Sequence, residues 1–186
     1  MNYNFTNYKI KKGEKNYSPM ESWLPIFYPD GFEVYFRFNE GWSSLEEWGG
    51  DKDWNDYQKL KGLTKYVTLN NYHSAIIAFN YNKEEDHYNI FPYVNYPGKE
   101  FKIEKNHIVV KKGEIGYAKV EIKKKKVLFT LKDAHGTTLT FEYPFVKRML
   151  VARELGTYPG GGNNSEGPYG GAAFKDADID IDFRIL

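Results

Sequence analysis

Three aspartates near the C-terminus, Asp178, Asp180 and Asp182, stand at every second position of a run that also contains Ile179, Ile181, Phe183 and Ile185. On an extended strand, residues two apart share a face and lie roughly 6.5–7 Å apart at Cα. That spacing falls within the separation at which paired carboxylates flank a glycosidic bond. The reading preferred for the row is plainer: a solvent-facing acidic stripe beside lysines such as Lys119 and Lys123 on a neighbouring strand. Asp51 and Asp53, next to Gly49-Gly50, offer oxygen ligands suited to calcium. No EF-hand pattern continues from them, so the sequence implies no cofactor, with calcium as the one alternative. His73, His87, His107 and His135 are scattered, without metal-ligand or nucleophile–base spacing, and read as surface or strand-edge residues. The lysines at 123–126 are expected to form a solvated hairpin turn rather than an anion site.

Two segments have the composition of a binding rim. Residues 40–56 hold Trp42, Trp48 and Trp54 among acids and glycines, and residues 158–171 hold Tyr158, Asn163, Asn164 and Tyr169 among glycines and prolines. Aromatic rings stack on the apolar face of a sugar while amides bond its hydroxyls. These seven residues are therefore the candidate binding set, and no catalytic or metal-binding residue is nominated. The alternative for residues 158–171 is a long crossover between sheets. It is not a phosphate loop, because no Gly-Lys-Ser/Thr ending follows.

The elements that would carry these residues read as strands. In Phe32–Asn39, Phe32, Val34, Phe36 and Phe38 alternate with Glu33, Tyr35, Arg37 and Asn39, the period of a strand with one buried face. Further strands are expected at 63–69, 75–81, 88–96, 101–103, 108–110, 117–122, 127–131, 137–143 and 177–185. Pro92 places its strand at an edge or a bulge. Residues 145–155, closed by Gly156, fit an amphipathic helix by local pattern and a strand by the alternation of Met149, Val151 and Arg153. Residues 1–30, polar, Tyr-rich and broken by Pro19, Pro25 and Pro29, read as an extended N-terminal arm. It should pack on the domain of residues 31–186 or on a partner through Trp23, Leu24, Ile26 and Phe27. Many short strands with regular turn signals mark an all-β sandwich or barrel.

Composition narrows the function. The chain has 186 residues, enough for one large core without a staple. It contains no cysteine, which excludes disulfides, thiolate zinc sites and cysteine nucleophiles. Twenty-six basic against 25 acidic side chains argue against a nucleic-acid partner, which asks for a basic excess. The start, Met1-Asn2-Tyr3-Asn4-Phe5-Thr6, shows no basic region followed by an apolar run, so synthesis in the cytoplasm without a signal peptide is expected, and no membrane span.

The order of several short motifs resembles a known group. After the Phe32–Asn39 strand come Asp53-Trp54-Asn55, then Asn71-Tyr72-His73-Ser74-Ala75, then Leu155-Gly156-Thr157-Tyr158-Pro159-Gly160-Gly161 and an alternating last strand. This is similar to concanavalin-like, laminin-G-like sandwich proteins of gut bacteria and their phages, over residues 30–186. Pro159 departs from the group's usual Phe, and Phe174-Lys175-Asp176-Ala177 stands where Ala-Pro-His-Asp is expected. The resemblance implies a two-sheet antiparallel jelly-roll sandwich and a strand over 148–158, and it supplies no activity. It also implies a non-enzymatic phage or prophage protein, associated with a virion or binding a surface. Its partners would be a glycan, a capsid or tail protein, or further copies of itself. The alternatives are a carbohydrate-active enzyme on the same scaffold and an intracellular phage factor that binds a host protein.

Overall fold

The computed structural model describes residues 2–11, 14, 17–20, 22–40, 58–66, 73–82, 84–96, 102–103, 106–145, 149–157 and 177–186. Thirteen strands are found among them and no helix. One sheet contains β1 (Thr6–Ile10), β3 (Gly31–Glu40), β9 (Gly116–Ile122), β10 (Lys126–Lys132), β11 (Thr138–Pro144) and β13 (Ala177–Ile185), in the order β1-β13-β3-β9-β10-β11. The other contains β2 (Ile26–Phe27), β4 (Gln58–Lys65), β5 (Ser74–Asn82), β6 (His87–Asn95), β7 (Lys102–Ile103), β8 (Ile108–Val110) and β12 (Val151–Leu155). Its order is β2-β12-β4-β5-β6-β7, with β8 also on β6. Every pairing is antiparallel.

The alternation in β3 does what its period requires. Phe32, Val34, Phe36 and Phe38 are all 0% exposed and face the second sheet. Phe38 stacks on Tyr88 of β6 at 3.9 Å between centroids and meets Phe79 of β5 at 5.0 Å, joining the two layers. Ala118, Val120 and Ile122 of β9, Val127, Phe129 and Leu131 of β10, and Ile179 and Ile181 of β13 complete that inner face. Two glycines permit close approach. A Cβ at Gly31, whose φ is +146°, would lie 1.9 Å from the Val120 carbonyl oxygen, and one at Gly116 would lie 2.4 Å from the Phe36 ring.

The first thirty residues add strands to both sheets: β1 runs along β13 from Thr6↔Ile181 to Ile10↔Ala177, and β2 pairs with β12. The expected anchors are corrected. Of the four, only Ile26 packs against the core, whereas Trp23, Leu24 and Phe27 are exposed. Ile10 and Tyr17 are the buried contributions of this segment. Residues 151–155 are a strand, against the local helical pattern, because β4 and β2 pair with both of its edges. β4 begins at Gln58, earlier than its aliphatic residues suggest. Pro92 is at neither an edge nor a bulge. β6 lies one place in from the edge, and Pro92 falls between the stretch paired with β8 (Tyr88–Ile90) and that paired with β7 (Tyr93–Val94), where no outer pairing is found among the described residues.

A β-bulge in β4 has the largest consequence. The register moves from Lys59↔Ala78 to Lys61↔Ile77, so Leu60 and Lys61 both turn inward. Lys61 is 0% exposed and pairs with Glu154 of β12. Its ammonium also lies 4.8 Å from the Tyr8 ring centroid and 5.3 Å from that of Phe183. A buried charge is tolerated only when paired, and here a carboxylate and two ring faces share the task. No helix among the described residues is long and apolar enough to cross a membrane.

Candidate functional site

Each sheet turns one face away from the shared core, and the two outer faces differ in chemistry. On the six-stranded sheet, Asp180 and Asp182 do project outward, but they are neither solvent-facing nor beside lysines. They are 7% and 4% exposed, and β13 lies between β1 and β3 rather than next to β9. Arg37 donates to Asp180 Oδ2 from Nη2 at 2.5 Å and Nε at 3.1 Å, and Asn7 Nδ2 donates to Oδ1 at 2.8 Å. Arg184 holds Asp182 through Nη2 at 2.5 Å and Nε at 3.1 Å, and the backbone N–H of Asn4 adds a third bond at 3.0 Å. Burial would raise the Asp180 pKa, but hydrogen bonds from Asn7, Arg37 and Asn39 and the Arg37 charge outweigh it and hold it below the ordinary value. Asp182 is lowered chiefly by Arg184. A glycosidase needs one carboxyl with a raised pKa as general acid, and neither of these qualifies. Lys119 and Lys123 instead flank Glu121 at 3.7 and 3.0 Å. The rings of Phe5, Tyr3, Tyr35 and Tyr117 form a chain across this face at successive spacings of 5.1, 5.1 and 4.7 Å. Burial and the neighbouring Glu33 carboxylate push the Tyr117 phenol up to about 12.

The outer face of the seven-stranded sheet carries no carboxylate on any described strand residue. The β5–β6 register places Asn80 opposite Asn89 and Asn82 opposite His87. Asn89 Nδ2 donates to Asn80 Oδ1 at 3.1 Å, and Asn89 Oδ1 lies 2.9 Å from His87 Nε2. The other ring nitrogen, Nδ1, lies 3.4 Å from Glu85 Oε2 in the connecting turn. Further along the same face stand Lys59, opposite Ala78, and Arg153, opposite Thr64. Burial lowers the Lys59 pKa. The Arg153 guanidinium lies 4.6 Å from the Trp23 ring centroid. Ile76, Ala78, Asn80 and Phe91 are buried, while Lys59, Asn89, Tyr93 and Asn95 are half-buried.

All seven candidate binding residues, Trp42, Trp48, Trp54, Tyr158, Asn163, Asn164 and Tyr169, lie outside the described residues, as do Asp51 and Asp53. The strand ends that flank their segments are described. Glu40, Gln58, Thr157 and Ala177 all sit at one end of the sandwich: Asp178 pairs with Glu40, Gln58 pairs with Phe79, and Thr157 Oγ1 donates to the Leu60 carbonyl at 2.8 Å. The Asn82–His87 turn is at that same end. The histidines are corrected in part. His73 and His87 are buried, His73 against the Phe145 ring at 4.8 Å, whereas His135 lies on the surface. Among the described residues, no group of three or more His, Asp or Glu is placed to hold a metal. The lysine run is a turn, with Lys123 N–H donating to the Lys126 carbonyl at 2.9 Å.

Sequence pattern does not single out Asn80, Asn89, Lys59 or Arg153. For two of them a signal is nonetheless present. Asn80-x-Asn82 and His87-x-Asn89 are placed symmetrically about the turn at 83–86, and a hairpin closing there brings them face to face.

No family model matches the chain, and no curated protein matches it in sequence. Solved structures do match in shape. The exolytic PL7 alginate lyase AlyA5 from Zobellia galactanivorans aligns at a TM-score of 0.61 with 7% identity, covering 97% of this chain and 84% of that one. The PL-14 alginate lyase from Aplysia kurodai aligns at 0.54 with 11% identity, covering 98% and 82%. A protein of unknown function from Saccharomyces cerevisiae aligns at 0.51 with 8% identity, covering 96% and 83%. The fold is a concanavalin-like jelly roll. At these identities the likeness concerns the scaffold alone, one that carries carbohydrate-active proteins among others.

Proposed function

We propose that this chain binds an acidic polysaccharide along the outer face of its seven-stranded sheet without cleaving it. The observation that carries the reading is the composition of that face: the half-buried cation Lys59 beside a hydrogen-bonded row of Asn80, Asn89 and His87, with no acid among its described strand residues. Amides suit hydroxyls, a cation suits uronate carboxylates, and half-buried Tyr93 supplies apolar surface beside them. That the matching lyases act on alginate, a polyuronate, supports this ligand class. Binding is favoured over elimination because the described strand residues of this face carry no carboxylate and its imidazole, His87, is 5% exposed and engaged by Asn89 Oδ1.

Calorimetric titration with alginate oligosaccharides tests the reading. Saturable binding that weakens about tenfold or more in Lys59→Gln and Asn89→Ala, with no unsaturated product formed, is expected; equal affinity in wild type and both variants refutes it. The setting proposed for this activity is a virion or another displayed assembly, in which the chain contributes host-glycan attachment. The resemblance of its motif order to sandwich proteins of gut bacteria and their phages motivates that setting. Absence of the protein from purified particles, checked by mass spectrometry, removes it.

A further inference from the structure

The β2–β12 edge of the seven-stranded sheet exposes a cluster of large apolar side chains. Trp23 (53%), Leu24 (73%), Phe27 (65%), Tyr28 (63%), Tyr66 (40%) and Leu150 (60%) are all exposed. Backbone contacts make the cluster continuous: Phe27 pairs with Val151, Tyr28 N–H donates to the Leu150 carbonyl, and Tyr66 N–H donates to the Val151 carbonyl. Trp23 covers the Arg153 guanidinium next to them. Scaled by the roughly 150–250 Å² that a large side chain presents, these exposures give a patch on the order of 700 Å², above the ~300–600 Å² usual for the largest patch on a monomer.

We infer that this edge is the two-fold interface of a homodimer. Two observations select a second copy as the occupant. The area on one side approaches the ~800 Å² that each partner of a standard interface contributes. Among the described residues, the only charged side chain within the patch is Arg153, which is 4% exposed under Trp23, so two identical patches meet without like charges in the centre. A two-fold axis through the patch sets the apolar side chains of each copy against those of the other. β2 has only two residues, so side-chain packing, not strand addition, carries the contact.

Sedimentation equilibrium of the full chain tests the inference. The wild type should change from the one-chain mass of 21.7 kDa to twice that value as concentration rises. Phe27→Glu and Leu24→Asp should stay at the one-chain mass with an unchanged β-type circular dichroism spectrum. Both positions are more than half exposed, and Leu24 at 73% is the safer should the other fail to fold. A wild type that keeps the one-chain mass at every concentration overturns the inference, as does a folded Leu24→Asp that dimerises like the wild type.

Discussion

Replacing Glu154 by Gln removes the counter-charge of an ammonium that has no access to water. The Lys61 side chain is 0% exposed and that of Glu154 15%, with the Tyr8 and Phe183 rings on the remaining sides. Two opposite charges about 4 Å apart attract by ~4 kcal/mol at an effective dielectric of 20, and breaking a buried pair from one side costs about 3–5 kcal/mol. The ring faces stay in place and retain about 1 kcal/mol of attraction. A loss of about 3 kcal/mol is therefore expected for Glu154→Gln. With a urea m-value of about 2 kcal/mol/M, the unfolding midpoint should fall by ~1.5 M. The reverse substitution behaves differently. Lys61→Met leaves only the partly solvated Glu154 behind, and Lys61→Met with Glu154→Leu exchanges an ion pair for apolar packing, often neutral to within about 1 kcal/mol. Urea melts of the three variants, followed by tryptophan fluorescence, check the order. If Glu154→Gln costs less than about 0.5 kcal/mol, or if the double variant is the least stable, the pair is not buried as described.

Phe38→Ala should cost about 3–5 kcal/mol, because it opens a hole between the two sheets where Phe79 and Tyr88 meet its ring, and thermal melting should drop by about 10 °C. Gly116→Ala should cost about 1–3 kcal/mol by forcing the Phe36 ring aside, and Phe36→Leu in the same chain should recover part of the loss, read by the same melts. Asp180 has a folded pKa below its unfolded value, so its stabilisation is complete above the ordinary carboxylate value near 4 and is lost as pH falls through the folded one. Asp180→Asn should therefore lower stability at neutral pH and flatten the acid limb of a stability–pH curve; an acid limb as steep as in the wild type contradicts the Arg37 and Asn7 contacts.

Strands whose two faces differ sharply are legible in the sequence. Phe32–Asn39 and Ala177–Ile185 each carry one apolar and one polar face, and β9, β10 and β11 follow from alternation between clear turns. β5 is buried at eight of its nine positions, so its run Ser74–Tyr81 shows little contrast, and only its hairpin with β6 reveals which residues share a face. The bulge in β4 is hidden because it reverses parity midway, sending Lys61 inward where strict alternation points it to solvent. The partners of Asp180 and Asp182 are hidden because strand order is a long-range property: β13 inserts between residues 6–10 and 31–40, which brings Asn7 and Arg37 to Asp180. Trp23, Leu24 and Phe27 read as anchors from their size alone. Size fixes that such residues have something to cover, but it does not say on which molecule.

The proposed polysaccharide face has one direct test: amide shifts of the ¹⁵N-labelled protein titrated with alginate oligosaccharides. Movement is expected to concentrate on β4, β5 and β6, at Lys59, Asn80 and Asn89, with β9, β10 and β13 unmoved. Shifts confined to the six-stranded sheet, or none at saturating ligand, would contradict it.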